Sequence, residues 1–217
     1  MNLKTKESDI IAKEGYPFIA GGLASAALFY KLNLKTLAAA SGLFGLYSLY
    51  FFRNPTRRPP VLKRAIVSPA DGRIISIGRH YERYFFKKEA KRISIFMSLF
   101  DVHINRMPAD GRVVSVVHKS GEFLSAFKEK ASDVNEQTAL LLDLACGKKI
   151  VVVQIAGLVA RRVVTYPEEG QQLKKGEIFG MIRFGSRLDV YVEDEFEETV
   201  RIKEKVKAAE TILGIFK

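Results

Sequence analysis

Ser186 stands directly after Gly185, between two apolar runs of β character, Ile178-Phe179-Gly180-Met181-Ile182 and Leu188-Asp189-Val190-Tyr191-Val192. A serine hydroxyl can attack the carbonyl of the residue before it when the peptide is strained and a base is at hand. Gly185 suits that chemistry, because glycine tolerates unusual backbone angles and leaves its carbonyl uncrowded. The ordinary reading of Gly-Ser is a turn. Two other segments bear on the choice: Val67-Ser68-Pro69-Ala70-Asp71-Gly72 and Phe100-Asp101-Val102-His103-Ile104-Asn105-Arg106-Met107-Pro108. Asp71, His103 and Ser186 are the residue types of a set in which one group attacks, one takes the proton and one orients the base. His80 and His118 fit no such set and read as surface residues. Cys146 lies in Ala145-Cys146-Gly147-Lys148, a hairpin turn. One cysteine and three scattered histidines offer no metal-ligand cluster and no intrachain disulfide framework, which fits a reducing compartment.

These residues need a β scaffold. Ile74–Ile77, Ile93–Leu99, Val113–Val117, Ala139–Leu144, Ile150–Ile155 and Val163–Tyr166 are short β-branched or alternating runs separated by turn residues. The polar stretch Lys128–Gln137 reads as a loop. No βαβ spacing is present. Two repeats stand out. Pro69-Ala70-Asp71-Gly72-Arg73-Ile74-Ile75-Ser76 recurs as Pro108-Ala109-Asp110-Gly111-Arg112-Val113-Val114-Ser115, and Leu173-Lys174-Lys175-Gly176-Glu177 recurs approximately as Val206-Lys207-Ala208-Ala209-Glu210. The second copy reads as strand-turn-strand rather than as a helix over Glu197–Ala209. The predicted fold is mainly β, a sandwich of short strands with internal pseudo-symmetry. Its repeats resemble the half-motifs of biotinyl and lipoyl carrier domains, without the carrier lysine.

Ahead of that domain lie two apolar blocks rich in small residues, Tyr16–Tyr30 and Thr36–Phe52, separated by Lys31 and Lys35. Each is slightly short of the roughly 20 residues that span a bilayer, and flanking aromatics and snorkelling lysines extend both. They predict a helical membrane hairpin over 1–52. A secretory signal peptide fits less well, because the leading segment is long and partly acidic; a buried core hairpin is the soluble alternative. Arg53, Arg57, Arg58, Lys63 and Arg64, with Pro55, Pro59 and Pro60, make 53–64 a basic extended linker into a catalytic domain over 65–217. By the positive-inside rule this end faces the cytoplasm, against anionic head groups of the cell membrane. The net charge of +11 points to a polyanionic partner. No nucleic-acid motif accompanies it, so a membrane surface and an anionic substrate are the expected partners.

Taken together, Ser68-Pro69-Ala70-Asp71-Gly72, Asp101-Val102-His103 through Met107-Pro108, and Phe184-Gly185-Ser186 resemble the phosphatidylserine decarboxylase proenzymes over roughly Arg53 to Lys217. Phe123-Leu124-Ser125-Ala126-Phe127 and Asn135-Glu136 match the same family. The likeness is greatest to its short branch, which includes the archaetidylserine decarboxylases. The resemblance implies self-cleavage at Gly185-Ser186 into a β chain, 1–185, and an α chain, 186–217, which stay together as a heterodimer. Ser186 becomes a pyruvoyl group that forms a Schiff base with the amine of an anionic phospholipid and drains electrons from the breaking bond, releasing carbon dioxide and phosphatidylethanolamine. Neither a metal nor pyridoxal phosphate is called for. The longer family members carry two histidines in the segment around 103. His103 matches the one assigned to decarboxylation, and Arg106 stands where the self-cleavage histidine would be. Either His103 serves both steps, or another base drives cleavage while Arg106 supplies charge.

Three alternatives remain at this level: an archaetidylserine decarboxylase acting on a diether lipid, a non-catalytic carrier-like β module tethered to the membrane, and a basic membrane-surface protein with no small-molecule site.

Overall fold

A computed structural model describes residues 4–121, 135–157, 162–183, 185–193 and 195–217. Phe123–Phe127, most of the polar stretch before Gln137, and Phe184 lie outside the described residues. The chain divides into two compact units, Met1–Thr56 and Arg57–Lys217.

The first unit is a helical hairpin. After a single 3₁₀ turn at Lys13–Gly15 come α1, Tyr16–Lys31, and α2, Lys35–Phe51, with Asn33 in the left-handed region between them. Pro17 sits in the first turn of α1, where its missing N–H costs nothing. The predicted apolar blocks are thus helices. Small residues let the two approach closely: a Cβ on Gly22 would lie 2.8 Å from the Gly45 Cα. Leu28, Leu43 and Leu46 remain exposed. No helix among the described residues is long and apolar enough to cross a membrane.

The second unit is β throughout its described residues. β1 is Ala65–Val67, β2 Gly72–Glu82, β3 Lys88–Met97, β4 Ile104–Arg106 and β5 Gly111–Lys119. β6 is Gln137–Leu144, β7 Lys149–Ile155, β8 Val163–Thr165, β9 Gln172–Leu173 and β10 Ile178–Ile182. β11 is Ser186–Val192, β12 Phe196–Glu198, β13 Lys205–Val206 and β14 Ile212–Phe216. An eight-stranded antiparallel sheet runs β13-β2-β3-β11-β7-β6-β5-β9; two three-stranded sheets run β1-β14-β12 and β4-β10-β8. The main apolar core holds Ile74, Ile95, Leu140, Val152, Leu188 and Val190 of the large sheet against Ile66, Phe179 and Phe216 of the small ones.

The order of the large sheet is symmetric about the β11–β7 pair. β2 and β5 occupy equivalent places, each with an irregular register step, between Ile74 and Ser76 and between Val113 and Ser115. Their leading glycines meet a neighbouring backbone: a Cβ would lie 2.2 Å from the Phe96 carbonyl oxygen at Gly72 and 2.6 Å from that of Asp143 at Gly111. β13 pairs with β2 as β9 pairs with β5, so Val206 and Leu173 correspond. The segment over 197–209 carries strands and turns, not a helix. Two strand ends differ from expectation. β3 stops at Met97, because Ser98–Asp101 closes a turn. β11 begins at Ser186 rather than Leu188, because Ser186 already pairs with Met97.

β11 lies in the middle of the large sheet, between β3 and β7. All seven of its residues are buried. Alternation places Leu188, Val190 and Val192 in the main core. Arg187, Asp189 and Tyr191 take the other face, where Tyr191 packs with Ala139, Val151 and Val153.

Candidate active site

Gly185 precedes β11 with φ at +68°, in the left-handed region that favours glycine. Ser186 is fully buried, and its Oγ has no hydrogen-bond partner among the described residues. A buried hydroxyl without a partner costs free energy, so its retention calls for an explanation. Such an atom is a nucleophile without competing bonds, one residue after the carbonyl it would attack.

His103 reaches this place from the position just before β4. Its backbone carbonyl accepts from Ile182 N–H at 3.3 Å, and Ile104 pairs with Met181, so the β4–β10 ladder sets the ring near the end of β10. The ring is fully buried. Nε2 lies 3.1 Å from the Gly185 nitrogen, and Nδ1 lies 2.9 Å from the Asp101 carbonyl oxygen. A backbone N–H can only donate and a carbonyl can only accept. The ring is therefore neutral, with its proton on Nδ1 and the Nε2 lone pair turned to the Gly185 N–H. The Ser98–Asp101 turn holds the Asp101 carbonyl in place: Asp101 N–H donates to the Ser98 carbonyl at 3.0 Å, and Asp101 Oδ2 accepts from Ser98 N–H at 2.8 Å and Ser98 Oγ–H at 2.6 Å.

The structure thus brings Gly185, Ser186 and His103 together, and a backbone carbonyl orients the base. Asp71, expected as the orienting carboxylate, has other partners. Arg57 Nη2 donates to both its oxygens, at 2.8 and 2.7 Å, and the Ala208 N–H donates to Oδ1 at 2.8 Å. Burial pushes the Asp71 carboxyl above its ordinary value, against the lowering effects of Ala208 and Arg57. Its repeat partner Asp110 is exposed and makes the equivalent bond, accepting from Lys175 N–H at 2.8 Å. Arg57 is what distinguishes the two. Arg106 is buried, and its Nη1 donates to the Gly176 carbonyl at 2.9 Å. His118 is exposed as expected, whereas His80 is half-buried with Nε2 3.0 Å from Arg92 Nη2.

Sequence reasoning missed the charges behind Ser186. Arg187, 1% exposed, bonds both oxygens of Asp189 at 2.7 and 2.8 Å and Ser94 Oγ at 3.0 Å. The signal was available: an acid and a base two apart share one face of a strand, and a buried strand carries them only as a pair. Buried Asn105 and Gln154 and half-buried Thr165 form a second network, with Gln154 Nε2 donating to Asn105 Oδ1 at 2.8 Å and Thr165 Oγ1 donating to Gln154 Oε1 at 2.6 Å.

Residues 44–214 match the model of the phosphatidylserine decarboxylase family. The chain belongs to that family. Among curated proteins it is similar to the phosphatidylserine decarboxylase proenzyme of Syntrophotalea carbinolica, with 44% identity over 95% of this chain and 97% of that one. It is 48% identical to the proenzyme of the same name from Geotalea uraniireducens and 45% identical to that of Geobacter metallireducens, each over 94% of this chain and 96% of the relative. In this member of the phosphatidylserine decarboxylase family, the buried Ser186 hydroxyl directly follows the left-handed Gly185. Among the described residues no group of histidine, cysteine and carboxylate side chains is arranged to hold a metal ion.

Proposed function

We propose that the chain is a proenzyme that splits itself between Gly185 and Ser186 and then decarboxylates phosphatidylserine to phosphatidylethanolamine and carbon dioxide. The observation that carries this is the buried, unpartnered Ser186 Oγ beside a glycine at positive φ whose N–H is held by a neutral histidine. Ser186 Oγ adds to the Gly185 carbonyl carbon and gives its proton to a base. The C–N bond breaks, the Ser186 nitrogen takes a proton, and an ester remains. Loss of the Ser186 Cα proton expels the Gly185 carboxylate and leaves a carbon–carbon double bond. After tautomerisation, water displaces ammonia and a keto acid caps 186–217.

His103 is the base we assign. Its bare Nε2 exchanges the Gly185 N–H for the Ser186 hydroxyl, and its Nδ1–H stays on Asp101, which stabilises the imidazolium that forms. A pyruvoyl carbonyl supplies the electron sink for the carbon that loses carboxylate. The site fits that group, because the orphaned hydroxyl is the atom that self-processing consumes. His103 then remains at residue 185 to hand a proton to the substrate carbon. Asp71 acts at one remove, fixing the turn before β2, whose Pro69 carbonyl accepts the Arg106 N–H at 2.9 Å.

Chains 1–185 and 186–217 would stay associated as a heterodimer. β11 pairs with β3 and β7, β13 with β2, and β14 with β1, so the small piece is woven into sheets of the large one. The helical hairpin with its exposed leucines supports association with the cell membrane, at the cytoplasmic face given the basic linker 53–64 and catalytic domain 65–217. The matching β2/β13 and β5/β9 units support descent from carrier-like half-motifs. The intact mass of the denatured protein tests the reading: two pieces, 1–185 and a keto-acid-blocked 186–217, are expected, and an active chain of uncleaved mass would sink it.

A further inference from the structure

The Ser98–Asp101 turn that orients His103 carries large apolar side chains where turns ordinarily carry Gly, Pro, Asn, Asp or Ser. Leu99 is 40% exposed and Phe100 is 70% exposed. They are not displayed by a loose loop: the turn is closed by the Asp101-to-Ser98 backbone bond and latched again by Asp101 Oδ2 on Ser98. The turn also lies at the mouth of the site, since a Cβ on Gly185 would stand 3.8 Å from Leu99 Cδ2. At the same rim, two residues before Gly185, the Arg183 N–H donates to the carbonyl of Arg162, which is exposed.

We propose that Leu99 and Phe100 form a wedge that inserts into an anionic bilayer and seats the mouth of the site on the lipid surface. The inference rests on the decarboxylase reading, in which the substrate's acyl chains stay in the membrane while its head group must reach a fully buried centre. Docking a rigid apolar tip beside that centre shortens the path the head group travels through water. It also excludes water from the mouth. Arg162 and the net charge of +11 favour a negatively charged surface over a neutral one. The wedge is separate from the helical hairpin, because it is built from the catalytic unit's own turn.

The chain contains no tryptophan, so Phe100→Trp would carry a single reporter. In the full chain, its emission should shift to the blue with vesicles containing phosphatidylserine and be quenched by lipids brominated on the acyl chain. Ile202→Trp, at a position 55% exposed, should show neither. Separately, Phe100→Ser should lose about tenfold in rate on phosphatidylserine in vesicles. It should keep its rate on a short-chain phosphatidylserine dissolved as monomers, with chain splitting unchanged by mass. Equal quenching at positions 100 and 202, no quenching at 100, or equal loss on both substrates would overturn the wedge. A wild-type chain that decarboxylates neither substrate would defeat the decarboxylase reading instead, and quenching at position 100 would then decide the wedge alone.

Discussion

His103 Nε2 accepts the Gly185 backbone N–H at 3.1 Å, across 82 positions of sequence. The bond places an imidazole on the residue whose carbonyl is attacked in the proposed reaction, and that residue stands at φ +68°. His103→Ala should therefore slow splitting of the freshly translated chain by at least about 100-fold, the lower range for a positioned general base. The fraction split over time, read by mass, checks this. Normal splitting would remove His103 from the proposed role.

Ser186→Ala should give one intact chain with no decarboxylase activity. Gly185→Ala should fold, since its nearest new contact is the ordinary 3.8 Å to Leu99 Cδ2. The left-handed backbone would cost about 1–2 kcal/mol, and splitting should slow without stopping. A Gly185→Ala chain that splits at the wild-type rate would remove backbone conformation from the mechanism.

Asp71 and Asp110 occupy equivalent turns, but only Asp71 is bonded to Arg57. Asp71→Asn should destabilise the protein by up to about 3 kcal/mol, because the buried Arg57 loses the nearer of its two carboxylates and keeps only Glu210, at 3.5 Å. It should also slow splitting. Asp110→Asn removes a charge at an exposed turn but keeps an oxygen that can accept from Lys175 N–H; it should cost under about 1 kcal/mol and leave splitting and decarboxylation intact. Denaturant midpoints of Ser186→Ala backgrounds measure the first effect without interference from cleavage. A processing defect confined to Asp110→Asn would defeat the assignment.

Asp189→Asn should be among the most disruptive single changes in the catalytic unit. It leaves the buried Arg187 guanidinium uncompensated directly behind the reactive residue, at a cost of about 3–5 kcal/mol. Replacing both residues with a Met–Leu pair should restore much of the stability. Recovery of folding without recovery of splitting would mark the ion pair as the device that holds the start of β11 in place.

The full-length protein should fractionate with membranes and resist a high-salt wash, since salt screens surface charge but not buried apolar area. Release of all of it by salt alone would make the helical hairpin a peripheral contact.

The sequence alone determined a good deal, for local reasons. Apolar blocks bounded by lysines became α1 and α2. β-branched runs between turn residues became β2, β3, β5, β6, β7, β10 and β11, and repeated Pro-Ala-Asp-Gly-Arg became twin strand starts. That Gly185-Ser186 and His103 belong to one candidate site could be proposed from sequence, because a glycine-serine pair and a histidine are written as residue types. The tertiary structure decided who meets whom. That His103 is oriented by the Asp101 carbonyl is invisible in sequence, because every residue has a carbonyl. That Asp71 pairs with Arg57 while Asp110 caps an exposed turn depends on where the 53–64 segment lies, and two identical pentapeptides hold no information on that. That Ser186 Oγ has no hydrogen-bond partner among the described residues is a property of the space around it, set by strands drawn from both sides of Gly185.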